Sequence, residues 1–301
     1  MQKKWIALLL CLAAVLSLTA CGASGKTSED EKLKVYVSFN ALKEFAQTVG
    51  GDKVEVTAVI PDGTEPHDFE PKAQDLAGMS TAQVFVYNGL DMEAWAEDAV
   101  AAADNKDLIV VEASDGVTPI SNAEEDEIQE HGQYDPHVWL SLKGAETEVT
   151  NIKDALVRAD PDNKEYYETN CSEYIAKLEA LYTRYSEKFG STEKKSFVTG
   201  HAAFAYLCRD FGLEQNSVED VFAEGEPSAK QLTELVDYCR ENGVTTIFAE
   251  EMASPDISET LAREVGASVE TIYTMESAED DKSYLERMED NLEKIYLSLA
   301  A

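Results

Sequence analysis

Short apolar runs and amphipathic stretches alternate twice along this chain, with a long helical stretch between the two series. The first series reads LKVYVSFN, ALKEFAQTVGG, KVEVTAVI, KAQDLAGMSTA, QVFVYNG, MEAWAEDAVAAA and DLIVVEAS. Strand and helix in strict turn point to a parallel sheet, because parallel neighbours need a crossover between them. The pattern restarts after Gly190 with KSFVTG, HAAFAYLCRDFG, EPSAKQLTELVDYCREN, GVTTIFAEE, PDISETLAREVG, ASVETIYTM and a terminal helix over KSYLERMEDNLEKIYLSL. Between the series, residues 142–190 carry a helical pattern broken at Asp160-Pro161, and its second part is long enough to reach two lobes. The expected fold is therefore α/β. An N-terminal lobe over 33–141 and a C-terminal lobe over 191–301 are joined through helix over 142–190. Ligands of such sheets sit beyond the carboxyl ends of the strands, and two similar lobes can bind one between them.

The first residues, MQKKWIALLLCLAAVLSLTACGASG, follow another logic. Two lysines precede an apolar run from Trp5 to about Val15 that is too short and wrongly flanked for a membrane-spanning helix. Residues 1–20 read as a secretory signal peptide. Leu18-Thr19-Ala20-Cys21 resembles a bacterial lipoprotein box, which implies cleavage before Cys21 and lipid on its sulfur. Residues 21–32 then form a polar tether, and the protein is expected outside the cytoplasm, anchored to the bacterial cell membrane. With Cys21 lipidated, Cys171, Cys208 and Cys239 remain, without metal-type spacing. Packing is the expected role of Cys208 and Cys239, and a partly exposed place that of Cys171.

The net charge of −34 repels nucleic acid and anionic headgroups and enriches cations near the surface. Residues 121–133, SNAEEDEIQEHGQ, form an acidic loop too charged to join a core.

Four histidines occur: His67, His131, His137 and His201. His67 lies in PDGTEPHDFEP, directly after a strand. His137 lies in YDPHVWL, before the long helical stretch. His201 follows SFVTG at a strand end. Two of the four follow a proline, which fixes its own φ and forces the preceding residue to extended geometry. An imidazole held this way loses less ordering entropy when it takes an ion. Glu65, Asp68 and Asp135 are near enough to accept the second imidazole N–H. One histidine alone reads as a core residue with one hydrogen bond; three at strand and loop ends read as a shared metal site.

PDGTEPHDFEP, YDPHVWLSL, FVTGHAAFAYL, EGEPSAKQL and IFAEEMASP, in that order and with a final NLEKI, resemble the cluster A-I substrate-binding lipoproteins of bacterial metal-ion ABC transporters, zinc-type branch. The resemblance covers nearly the whole mature chain. It implies two α/β lobes rigidly linked by a long helix, a metal site in the cleft between them, a monomer without enzymatic activity, and a membrane ABC permease as partner. Its ligand positions fall on His67, His137 and His201. Manganese-type relatives carry Glu where this chain has His201. Three neutral imidazoles suit zinc and carboxylate oxygens suit manganese, so Zn2+ is the expected cargo rather than Mn2+. The fourth ligand is open among water, Asp280, Asp281 and Glu250, with Asp281 taken as the expected residue. Some zinc relatives place Glu directly before the first histidine; Pro66 stands there, which weakens Glu65 as a ligand. Zinc relatives also carry a charged, His-rich loop before the second ligand, which gives His131 and its acidic neighbours a possible part in gathering or gating zinc. A manganese-binding homologue and a metal-dependent surface adhesin are the alternative functions. A zinc hydrolase would also use three histidines, but HExxH, Gly-x-Ser-x-Gly and P-loop motifs are all missing.

Overall fold

The computed structural model describes residues 32–122, 133–219, 229–251, 255–278 and 280–301. The signal peptide, Cys21, most of the tether and the body of the acidic loop with His131 lie outside those residues.

The first lobe runs β1 (Leu33–Val37), α1 (Asn40–Gly50), β2 (Val54–Ala58), α2 (Ala73–Leu76), β3 (Val84–Tyr87), α3 (Ala96–Ala103) and β4 (Ile109–Glu112). Its sheet has the order β2-β1-β3-β4, with every pair parallel. Val84, Phe85 and Val86 are buried on both faces of the sheet, as a central parallel strand requires. Two helices follow, α4 (Leu142–Ala159) and α5 (Lys164–Gly190). The second lobe runs β5 (Ser196–Thr199), α6 (Ala205–Phe211), β6 (Glu214–Ser217), α7 (Ala229–Asn242), β7 (Thr246–Glu250), α8 (Asp256–Val265), β8 (Ser268–Ile272) and α9 (Tyr284–Ala300). Its sheet, β6-β5-β7-β8, is again all parallel and repeats the strand order of the first.

The helical stretch over 142–190 is two helices rather than one rod. Pro161 cannot continue α4, and a short 3-10 turn over Pro161–Asn163 reverses the chain. Asp160 Oδ2 closes the corner by accepting from Asn163 Nδ2 (2.6 Å) and the Tyr167 hydroxyl (2.8 Å). The 27 residues of α5 span about 40 Å. Its buried residues, Tyr167, Cys171, Tyr174, Leu178, Leu181, Tyr185 and Phe189, recur every three or four positions and form one apolar stripe. Near its start, Asn170 Nδ2 donates to the Val49 carbonyl of α1 (3.0 Å). Near its end, the Tyr185 hydroxyl donates to Glu293 Oε2 of α9 (2.9 Å). One continuous apolar core includes residues of both lobes and of this stripe. That continuity opposes free hinging between the lobes. Cys171, expected to be partly exposed, is buried because it falls on this stripe; Cys208 and Cys239 are also buried, and all three are free thiols.

β6 escapes the apolar pattern. EQNS contains no apolar residue, and among the described residues its strand partner is β5 alone, at the sheet edge, so pairing and not burial makes it a strand. Helix α6 begins four residues later than its sequence pattern, which leaves His201 in the turn after β5. Among the described residues no helix is long and apolar enough to cross a membrane.

Candidate metal centre

The three histidines predicted as ligands meet at the carboxyl ends of the two sheets. His67 comes from the loop after β2, where its backbone N–H donates to Glu65 Oε1 (3.3 Å). His137 follows β4 and is fully buried. Asp135 Oδ1 accepts both the His137 backbone N–H (2.8 Å) and its Nδ1 (2.9 Å). A carboxylate on Nδ1 holds the proton there and leaves Nε2 with a free lone pair. The Pro136 carbonyl accepts from Asn88 Nδ2 (2.9 Å), and the Asp135 carbonyl from the Tyr206 hydroxyl (2.7 Å). The acid-proline-histidine turn is thus fastened to both lobes.

His201 is held by its main chain. Its carbonyl accepts from Thr199 Oγ1 (2.6 Å) and Gln215 Nε2 (2.9 Å), and its N–H donates to Glu250 Oε1 (3.1 Å). A Cβ on the preceding Gly200 would lie 2.0 Å from Glu250 Oε2, so only glycine lets that carboxyl reach the His201 amide.

His67 Nε2 lies 3.2 Å from His137 Nε2, and His201 Nε2 lies 3.3 Å from it. Glu276 Oε1, from the segment after β8, stands 3.9 Å from the same nitrogen. One ligand atom from each of these four residues falls within 4.8 Å of the others. Nitrogens bound tetrahedrally to zinc at about 2.0–2.1 Å sit roughly 3.3–3.4 Å apart. The imidazole spacing therefore matches a zinc shell. Glu276 Oε1 is buried and has no hydrogen-bond partner among the described residues, so it is available to a cation.

Residues 35–297 match the ZnuA family model, described as the periplasmic component A of a zinc-uptake complex. The chain belongs to the ZnuA family. It is 40% identical to the high-affinity zinc uptake system protein ZnuA of Bacillus subtilis over 99% of both chains. The Zn(II)-bound ZnuA-like domain of Streptococcus pneumoniae AdcA superposes with a TM-score of 0.77 at 34% identity, covering 90% of this chain and 100% of that one. The laminin-binding protein Lmb of Streptococcus agalactiae, described as bifunctional with adhesin and metal-transporting activity, gives 0.81 at 35%, covering 89% and 100%. Like these solved ZnuA-type neighbours, the chain is an α/β protein of two parallel-sheet lobes.

The fourth member of the cluster differs from the expectation. Asp281 is exposed and does not join the histidines. Asp280 is taken by Arg287, whose Nε donates to its Oδ1 (2.9 Å). Glu250 serves the His201 amide, and its Oε1 stands 3.9 Å from His201 Nδ1. Asp68 is exposed, and Glu65 caps its own loop. Glu276 lies outside the set expected from the sequence, because no local motif marks it. The readable signal was its place just past the end of β8, where ligand groups of parallel sheets collect.

Burial dominates the electrostatics of this ZnuA-family site. Burial, then the neighbouring Glu65 and Glu251, holds the Glu276 carboxyl well above the usual carboxylate range. Burial, then His137, holds His201 well below the usual imidazole range. Burial also pushes Glu93 and Glu250 up to about 7, and Glu148 well above its ordinary value. These four acids bind protons more tightly folded than unfolded. Their contribution is full below the ordinary carboxylate range and is lost as pH rises through the folded values. His201 opposes them, since its contribution is lost as pH falls below the ordinary imidazole range. Glu93 and Glu250 alone shift stability by about 2 kcal/mol each between pH 5.5 and 8. The metal-free protein should therefore melt several degrees lower at pH 8 than at pH 5.5 by scanning calorimetry. Zinc, which needs deprotonated ligands, should stabilise more at pH 8 than at pH 5.5.

Proposed function

We propose that this chain captures Zn2+ outside the cytoplasm and hands it to a membrane ABC permease for uptake, with His67, His137, His201 and Glu276 as the ligands. The observation that carries this reading is the convergence of three imidazole Nε2 atoms and one buried carboxylate oxygen within 4.8 Å. Three nitrogens and a single oxygen suit borderline zinc, whereas a manganese site draws on more oxygen. Four protein ligands also fill a tetrahedral shell. A catalytic zinc keeps one position for water, so the donor set favours carriage over hydrolysis. The net charge of −34 raises the concentration of cations around the protein. Lipid on Cys21 and the tether that follows would keep the carrier beside its permease. Zinc uptake by the Bacillus subtilis relative supports the same direction of transport.

The reading is tested by stripping the protein of metal and offering it equimolar zinc with a tenfold excess of manganese. Elemental analysis should return one zinc per chain and no manganese. Retention of manganese, or of neither metal, would overturn it.

A further inference from the structure

Glu276 sits on a segment whose backbone shape is not one its residues favour. The preceding residue, Met275, is fully buried and has a φ of 61°. In this left-handed region the Cβ of an L-residue crowds the following carbonyl, so a methionine stays there only where its surroundings impose it.

Glu251 supplies that constraint. Both its oxygens accept the Thr274 N–H (3.2 and 2.9 Å), and Oε1 also accepts the Met275 N–H (3.1 Å). Other groups fasten the segment around this clasp. Trp139 Nε1 donates to the Thr274 carbonyl (2.7 Å), and Ser277 Oγ accepts from the Gly63 N–H of the His67 loop (2.7 Å). Among the described residues, Glu251 takes the N–H groups of both Met275 and Thr274, while Trp139 holds the carbonyl of the Thr274–Met275 peptide. The two consecutive acids at the end of β7 thus divide the work: Glu250 takes the amide of His201, and Glu251 takes the amides that lead into Glu276.

We propose that Glu251 is a positioning residue of the metal centre, whose carboxylate aims Glu276 at the three imidazoles by holding Met275 in the left-handed conformation. This rests on Glu276 being the fourth ligand. Glu251 does not itself belong to the cluster of ligand atoms and acts through Glu276.

A double-variant cycle tests it, with zinc affinity measured against a competing chelator. Glu251→Gln and Glu276→Gln should each weaken zinc binding by roughly tenfold to a hundredfold, and the double variant should be no weaker than Glu276→Gln alone. The visible absorption of bound Co2+ reports the geometry of the shell directly. That of Glu251→Gln should move toward that of Glu276→Gln, a change that general loosening of the fold would not produce. If Glu276→Gln weakens binding and Glu251→Gln keeps wild-type affinity and spectrum, the positioning role is wrong and the ligand stands. If Glu276→Gln has no effect, the ligand assignment fails and the proposal with it. Losses that add in the double variant would place the action of Glu251 elsewhere and overturn the proposal. Should Glu251→Gln fail to fold, Glu251→Asp, which keeps the charge but shortens its reach, decides by the same cycle.

Discussion

Replacing His137 with alanine lowers zinc affinity by roughly a hundredfold to a thousandfold, the largest loss expected of any single substitution in the protein. Structural zinc in small domains binds with about 10–16 kcal/mol, so one of four ligands carries roughly 2.5–4 kcal/mol. His137 stands at the upper end because its Nε2 is the common neighbour of the other ligand atoms, 3.2 Å from His67, 3.3 Å from His201 and 3.9 Å from Glu276. It is also fully buried, so the gap left by alanine is poorly supplied with water. The change leaves Asp135 Oδ1 with only the backbone N–H of residue 137, which adds the cost of a half-satisfied buried carboxylate. His67→Ala should lose less, because His67 is half-buried on a loop and water can enter in its place. Zinc titration against a chelator of known affinity orders the two. A His137→Ala protein within threefold of wild type would remove this residue from the shell.

The parts of this molecule that were legible in the sequence are those encoded by local pattern. β3 reads as a strand because its residues are apolar on both faces, and the break before α5 reads from Pro161. The histidines were legible because they are scarce and because two of them follow a proline within an acidic turn. β6 was not legible, since EQNS becomes a strand only through its partner β5. Glu276 was hidden for a different reason. The chain has 59 acidic residues, and nothing local distinguishes the one that joins the histidine cluster. What distinguishes Glu276 is a buried carboxylate oxygen within 4.8 Å of a ring nitrogen of each of the three histidines, a placement that arises only when the segment after β8, the His67 loop and His137 pack together. Burial separated Cys171 from its expected exposed place in the same way, through a stripe that only the packed helix pair defines.

The same burial gives the second large effect. Zinc binding by the wild-type protein, at pH values just above the ordinary carboxylate range, releases more protons than zinc binding by Glu276→Gln, by up to about one. The Glu276 carboxyl is held well above the carboxylate range by burial, by Glu65 and by Glu251, so in the metal-free protein it keeps a proton at pH values where an exposed glutamate has lost it. Ligation requires the carboxylate, and the arriving cation expels that proton. Glutamine at position 276 has none to release. Protons released by groups that do not interact with Glu276 are common to the two proteins and cancel in the difference. His201 adds little, because burial already keeps it neutral. The sign for binding follows from this. Acidification weakens zinc affinity through Glu276, whose carboxyl takes its proton back as pH falls, while burial works against protonation of His201. Calorimetric titrations in buffers of different ionisation enthalpy give the proton count as a slope. Equal slopes for the two proteins would mean that Glu276 is already ionised before zinc arrives or does not bind it.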